Sequence, residues 1–377
     1  MDRPRLMFVV GTRPDAIKTA PVVQEFLKHK DAVDVRLVAT GQHREMLDQA
    51  LSAFLLSPDV DLAVMQHGQT LAQVTSRVLE GLDGAITDYR PDLVFAQGDT
   101  TTTFVASLAS FYRAVAFAHI EAGLRTDTIA NPFPEEFNRR ATALVTAMHF
   151  APTTWAAENL LKEGVRAEDV FVTGNTGIDA VMSVAKSHKA DWFPEHSGRV
   201  VLLTTHRREN WGAPQERIAK AAKAVVEKFD DVLLVVPMHR NPAVRETLTG
   251  ILGKRDRIEM IEPPDYADFV KLMQRSDIVL TDSGGVQEEA PTFGVPVLVL
   301  RETTERPEGV EAGTARLVGT DMDRIVNETS TLLNDSVAYK KMAHAVSPYG
   351  DGRASVRIAS FVLQRFGLPA EKETAWA

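Results

Sequence analysis

The sequence predicts an α/β protein of two domains, each built on a parallel β-sheet, and three observations carry that prediction. Short apolar runs alternate with amphipathic stretches of helical period, the pattern of βα units joined by right-handed crossovers. The alternation comes in two series, one starting at Arg5 and one at Arg199, separated by a polar run from Lys186 to Gly198 that reads as a linker. At 377 residues the chain exceeds one ordinary core and suits two domains of this class. The expected division is 1–180 and 181–353, with the final helix, in 354–377, packed back on the first domain.

Arg5 to Val10 reads as the first strand, entering Gly11-Thr12-Arg13-Pro14-Asp15 ahead of a helix from near Ala16 that carries Lys18. Val33 to Ala39 repeats the pattern, and Gly41-Gln42-His43 opens a helix running towards Phe54. After the Gly68-Gln69-Thr70 turn, a helix covers roughly Leu71 to Thr87. Asp92 to Ala96 is a strand that ends in Gly98-Asp99 and a run of threonines, passing into a helix through Tyr112. Val115 to Ala118 leads into His119-Ile120-Glu121-Ala122-Gly123-Leu124-Arg125. Pro132 and Pro134 bar a helix until about Glu135.

The second series begins with Arg199 to Leu203, which ends in Thr204-Thr205-His206-Arg207-Arg208-Glu209-Asn210. Val232 to Val236 leads into Pro237-Met238-His239-Arg240, and Arg257 to Ile261 follows. The next strand runs into Asp282-Ser283-Gly284-Gly285 and a helix carrying Glu289. Glycines there let the backbone approach an anion, and the free N–H groups and dipole of the helix start attract it. Val295 to Leu300 then opens the polar loop Arg301 to Glu308, which contains Arg306. Polar loops at successive strand ends place one site at the carboxyl edge of each sheet.

Composition narrows the function. A formal net charge of -9 argues against a nucleic-acid or anionic-membrane partner, because phosphate backbones are bound through a surplus of Lys and Arg. The chain has no cysteine, which removes disulfides, thiolate metal sites and a cysteine nucleophile. None of the 10 histidines has H-x-x-x-H spacing, so neither a metal site nor a cofactor is expected. Apolar runs are too short for a bilayer span or a signal h-region, and a cytoplasmic protein is the simplest expectation. Gly11-Thr12-Arg13-Pro14 is neither a dinucleotide fingerprint nor a P-loop, although Arg13 and Lys18 can clamp a phosphate. Asp99, Glu121 and Glu135 lie at or just after strand ends in the same half, where crowded carboxylates suit acid–base work. His206, ahead of two arginines, suits a pyrophosphate, and His239 beside Arg240 is a weaker parallel.

These motifs, in this order, resemble the set found in the non-hydrolysing UDP-N-acetylglucosamine 2-epimerases, and the resemblance covers nearly the whole chain. It implies two Rossmann-like, doubly wound domains facing across a deep cleft, as in GT-B glycosyltransferases, and a homodimer. It implies reversible epimerisation of UDP-GlcNAc and UDP-ManNAc through loss of UDP, 2-acetamidoglucal and re-addition. By motif position, Asp99, Glu121, Glu135 and His206 match catalytic residues. Arg13, Lys18, Ser283, Gly284, Gly285, Glu289 and Arg306 match UDP-binding positions, with His239 nearby. Gln42, His43, Gln69 and Arg207 resemble a second, activating UDP-sugar site. Gln97 departs from the usual His before Gly-Asp-Thr, and Asp15 from the commoner Glu. No kinase domain follows, as expected of the reversible branch.

Overall fold

The computed structural model of the chain describes residues 3–41, 44–64, 66, 68–371 and 373–376. It divides into two compact units, Met1–Ser183 with Tyr349–Ala377, and Val184–Pro348. The division falls inside the helix Thr176–Ser187, ahead of the polar run read as a linker.

The first unit holds β1 (Arg5–Val10), β2 (Asp34–Ala39), β3 (Val60–Asp61), β4 (Leu93–Gln97), β5 (Ala116–Ile120), β6 (Met148–Ala151) and β7 (Val170–Val172). Among the described residues they form one parallel sheet in the order β3-β2-β1-β4-β5-β6-β7. The second unit holds β8 (Arg199–Thr204), β9 (Val232–Pro237), β10 (Ile258–Ile261), β11 (Ile278–Thr281), β12 (Val297–Val299) and β13 (Ala315–Leu317). Their order, β10-β9-β8-β11-β12-β13, repeats that of the first unit. Each sheet therefore has the doubly wound Rossmann order, which reverses direction between β1 and β4 and between β8 and β11. The central strands are buried on both faces, as their unbroken apolar runs require.

Phe8 on β1 stacks on Phe95 of β4 at 4.4 Å, and Phe26 of the next helix tilts against both. Each such pair adds about 1 kcal/mol beyond burial and locks together the two strands whose ends carry site residues. The terminal helix Ala354–Arg365 packs on the helix Arg13–Leu27 within the first unit. Its start is capped by buried Asp179, which accepts from the amides of Ala354 and Ser355 and from the Ser355 hydroxyl.

Local differences from the sequence reading have physical causes. The first helix starts at Arg13 rather than near Ala16, because Thr12 and Asp15 form a reciprocal capping box and Pro14 is tolerated in a first turn. β5 continues through His119 and Ile120 rather than ending at Ala118, since a buried histidine extends it. β3, β6, β7 and β13 were not marked, being too short to show a period.

Candidate functional site

At the carboxyl edge of the first sheet, the loops after β1 and β4 diverge where the strand order reverses, the place at which such sheets hold ligands. Gly11 ends β1 against the helix Thr101–Tyr112, and a Cβ there would lie 2.1 Å from Thr102 Oγ1, so only glycine permits the approach. Asp15 joins the two loops. Its buried carboxylate accepts from the Gly11 and Thr12 amides at 3.3 and 3.1 Å, from Thr12 Oγ1 at 2.7 Å and from Thr100 Oγ1 at 3.2 Å. Burial raises its pKa to about 6 against the pull of these donors.

Glu121, just past β5, has φ of 64°, a left-handed conformation that costs a non-glycine residue on the order of 1 kcal/mol and is typical of functional sites. One carboxylate oxygen takes Lys18 Nζ and, at 3.4 Å, Asn175 Nδ2, while the other accepts from Gln97 Nε2. Gln97 thus donates to the carboxylate next door, the physical content of that departure from histidine. Thr100, not Asp99, caps the helix Thr101–Tyr112, which leaves the Asp99 carboxylate for Arg139 at 2.5 Å. The Asp99 carbonyl accepts from Asn138 Nδ2 at 2.8 Å. Asn138 and Arg139 lie on the helix Glu135–Ala143, whose first residue is Glu135. Contacts therefore run from Lys18 through Glu121, Gln97 and the Gly98-Asp99 turn to the helix that presents Glu135. Glu135 Oε2 is buried with no hydrogen-bond partner among the described residues.

Behind Asp99, the fully buried Glu136 binds Arg139 at 2.8 Å, Arg140 at 2.8 Å and the Thr126 amide at 3.2 Å. Burial disfavours the charged Arg139, yet Asp99 and Glu136 outweigh it and raise its pKa. His119, also buried, donates Nε2–H to the Gly98 carbonyl at 2.7 Å, and burial pushes its pKa down to about 3.

At the corresponding edge of the second sheet, His206 and Arg207 follow β8, and Asp282, Ser283 and Gly284 follow β11. The Arg306 guanidinium lies against the first turn of the helix Gly284–Glu289. A Cβ on Gly284 would come within 2.6 Å of Arg306 Nη1. Arg306 also pairs with Glu288 at 2.5 Å and Glu305 at 2.9 Å. Glu305 is shared with Arg207 at 3.0 Å and Arg301 at 2.5 Å. Burial would raise the Glu305 pKa, but Arg306 and Arg301 hold it at about 2. The ring of His239 lies beside that of His206, with centroids 5.7 Å apart and planes 23° from parallel. Burial first, and His206 second, lower the pKa of His239.

The structure thus links Lys18, Glu121, Asp99 and Glu135 in the first unit, with Arg13 at the start of the same helix as Lys18. In the second, His206, His239, Ser283 and Arg306 lie on the loops after β8, β9, β11 and β12, and Gly284, Gly285 and Glu289 lie on the helix Gly284–Glu289 that follows β11. Gln69 is engaged by its own loop, accepting from the Gln66 amide at 2.7 Å and donating to the Val64 carbonyl at 3.0 Å. Gln42 and His43 lie outside the described residues. Asn138 and Arg139 were missed in the sequence, although their spacing of three and four from Glu135 puts all three on one helix face. Asp15 and Asp282 gave no sign of how many donors they gather. Among the described residues, no cluster suited to a metal ion occurs and no helix is long and apolar enough to cross a membrane.

A family model described as UDP-N-acetylglucosamine 2-epimerase matches residues 25–363. The chain is 50% identical over 374 residues to the UDP-N-acetylglucosamine 2-epimerase of Bacillus subtilis, spanning 99% of this chain and 98% of that one. It resembles the crystal structure of UDP-GlcNAc 2-epimerase from Neisseria meningitidis bound to UDP-GlcNAc, with TM-score 0.88 and 44% identity over 96% of this chain and all 100% of that one. A glycosyltransferase of kitacinnamycin shares the fold alone, with TM-score 0.66 and 13% identity over 98% of this chain and 100% of its own. Two Rossmann-like sheets, a GT-B-like fold and relatives matched end to end agree: the chain belongs to the UDP-N-acetylglucosamine 2-epimerases, enzymes of the bacterial, non-hydrolysing kind.

Proposed function

We propose that the enzyme interconverts UDP-GlcNAc and UDP-ManNAc by elimination and re-addition. The C2 hydrogen has no adjacent carbonyl, so direct deprotonation is prohibitive. A base removes that proton as the C1–oxygen bond breaks. The electron pair of the C–H bond forms the C1–C2 double bond of 2-acetamidoglucal, and UDP leaves with the pair of the C–O bond. UDP then adds back to C1 while a proton reaches the other face of C2. Two faces require more than one proton carrier, and the first sheet edge offers Asp99, Glu121 and Glu135. The observation that carries this reading is the difference among them. Asp99 and Glu121 are paired with Arg139 and Lys18, whereas Glu135 keeps a buried oxygen without a partner among the described residues, where a proton can be exchanged without breaking an internal bond.

At the second edge a departing diphosphate falls to His206 and Arg306, with the Ser283 hydroxyl and the amides of Gly284 and Gly285; Arg13 and Lys18 are the phosphate-binding candidates of the first edge. Such preorganised donors are usually the largest catalytic term. Glu289 takes the ribose and His239 supports His206. Water must be kept from the glycal. The same reading assigns a homodimer in the cytoplasm that feeds surface polysaccharide synthesis. It also assigns an activating UDP-sugar to Gln42, His43, Gln69 and Arg207, of which Arg207 must first leave Glu305.

The test is incubation with UDP-GlcNAc in D2O, followed by NMR at C2. UDP-ManNAc bearing deuterium, together with deuterium in recovered UDP-GlcNAc, is expected. Accumulation of UDP and free ManNAc without UDP-ManNAc would refute the reversible reaction.

A further inference from the structure

Asp282 follows β11, just ahead of Ser283 and the helix Gly284–Glu289, and is fully buried. Donors from three residues of the β8 loop, and from Asn210 beyond it, converge on its carboxylate. Oδ2 accepts from Thr205 Oγ1 at 2.9 Å, the His206 amide at 3.0 Å, the Arg207 amide at 3.1 Å and Asn210 Nδ2 at 2.9 Å. Oδ1 accepts from the His206 amide at 3.1 Å and lies 3.2 Å from His206 Nδ1. Asn210 Nδ2 also reaches the Leu300 carbonyl at 3.1 Å, so one carboxylate ties the end of β8 to those of β11 and β12. Burial by itself would raise the Asp282 pKa, but His206 and the other donors outweigh it and leave the group an anion at neutral pH.

We propose that Asp282 is the positioning residue for His206. Its carboxylate accepts Nδ1–H, which fixes the neutral ring in that tautomer and leaves Nε2 as the nitrogen offered to the substrate. The inference rests on the reading of His206 as a group that touches the UDP-sugar. The neighbouring ring of His239 limits the tilt of His206, so the tautomer and the direction of Nε2 are set together.

Asp282→Asn separates this role from simple loop anchoring. With its amide oxygen in the place of Oδ2, the variant still accepts from Thr205, His206, Arg207 and Asn210. Its NH2 group then faces Nδ1 with a donor, and the ring answers by moving its proton to Nε2.

The experiment uses the full chain with 15N-labelled histidine, at a pH where the His206 ring is neutral. Long-range 1H–15N correlations report the tautomer, with the His206 signals assigned by their loss in His206→Ala. Protonated Nδ1 is expected in the wild type and protonated Nε2 in Asp282→Asn. The variant should lose about 100-fold or more in kcat, with KM for UDP-GlcNAc changed less than about threefold. In a His206→Ala background the same substitution should cost less than about threefold more, because the group it positions is gone. A protonated Nε2 in the wild type overturns the proposal, and needs no folded variant to do so. Equal losses in both backgrounds overturn it in favour of loop anchoring. Full activity of Asp282→Asn beside an impaired His206→Ala overturns it while sparing the His206 reading. Near-normal turnover of His206→Ala would instead sink that reading, and the proposal with it.

Discussion

The two sheet edges share a strand order and a switch point, yet one pair at each edge is turned the opposite way. At the first edge the Asp99 side chain, 29% exposed, stands in front of Arg139 at 13%, while Lys18 is slightly more exposed than Glu121. At the second the order is inverted, with His206 39% exposed in front of Asp282 at 0%. Arg306 likewise stands in front of the more deeply buried Glu288, though Glu305 is more exposed than Arg306. Both edges hold many of their ionic groups in pairs, because a lone buried charge is costly, and Glu135 Oε2 departs from that pattern. In the Asp99–Arg139 and His206–Asp282 pairs the outward member is the group proposed to meet the substrate. The scaffold is common to both; the chemistry lies in a few loop residues.

The strongest way to break this comparison is to remove the candidate groups of both edges. Asp99→Asn, Glu121→Gln, Glu135→Gln and His206→Ala should each lower kcat by about 2–4 kcal/mol of transition-state stabilisation, measured from initial rates. Near-normal turnover in all four would end the assignment of both edges. The inward groups should act on stability as well. Arg139→Ala leaves Glu136 buried with fewer counter-charges and should cost about 3 kcal/mol in urea unfolding, together with a loss of activity through Asp99. A change in activity alone would mean that Glu136 has adequate partners without it.

Acid should weaken the first unit through His119 and His149, which sit side by side on β5 and β6. Burial, the leading cause for both, lowers their pKa values from 6.5 to about 3 and about 4. The unfolded chain therefore takes up protons that the folded chain refuses. Their contribution is complete above pH 6.5 and is lost as pH falls towards the folded values. Asp15 acts in the opposite sense, since its pKa is raised from 3.8 to about 6 and protonation favours the folded state. Two histidines outweigh one aspartate, and by pH 5.5 each should have cost about 1 kcal/mol. Urea midpoints from pH 7.5 to 5.5 should fall, and less steeply in His149→Gln; an identical slope would remove His149 from the account.

The finest distinction comes from the two crowded glycines. Gly284→Ala should displace the Arg306 guanidinium and raise KM about tenfold, or ~1.4 kcal/mol, with little change in stability. Gly11→Ala meets Thr102 in the core and should show mainly in the urea midpoint. If the two substitutions have the same profile, the edges do not differ in this way.

Much of this was legible beforehand. The alternation of apolar runs marked β1, β2, β4, β8, β9 and β11, because strands buried on both faces must be continuously apolar. The candidate residues were legible because they occupy strand ends, which the same runs locate. β3, β6, β7 and β13 were not, since runs so short carry no period of their own. Nor were Asn138 and Arg139 connected with Asp99, about forty positions earlier, because hydrogen-bond partners of that separation leave no mark on local pattern.

By itself, the sequence determined the class of fold, its two series of βα units and the sheet edges at which the candidate residues fall. Periodicity and turn residues are local properties, and they suffice for that. Only the tertiary structure decided which member of each ion pair faces outward, that Thr100 rather than Asp99 caps its helix, and that Asp282 gathers the β8 loop around His206. These choices depend on distances of a few ångströms between residues tens of positions apart, and hydrogen-bond and charge energies are fixed by such distances rather than by order along the chain.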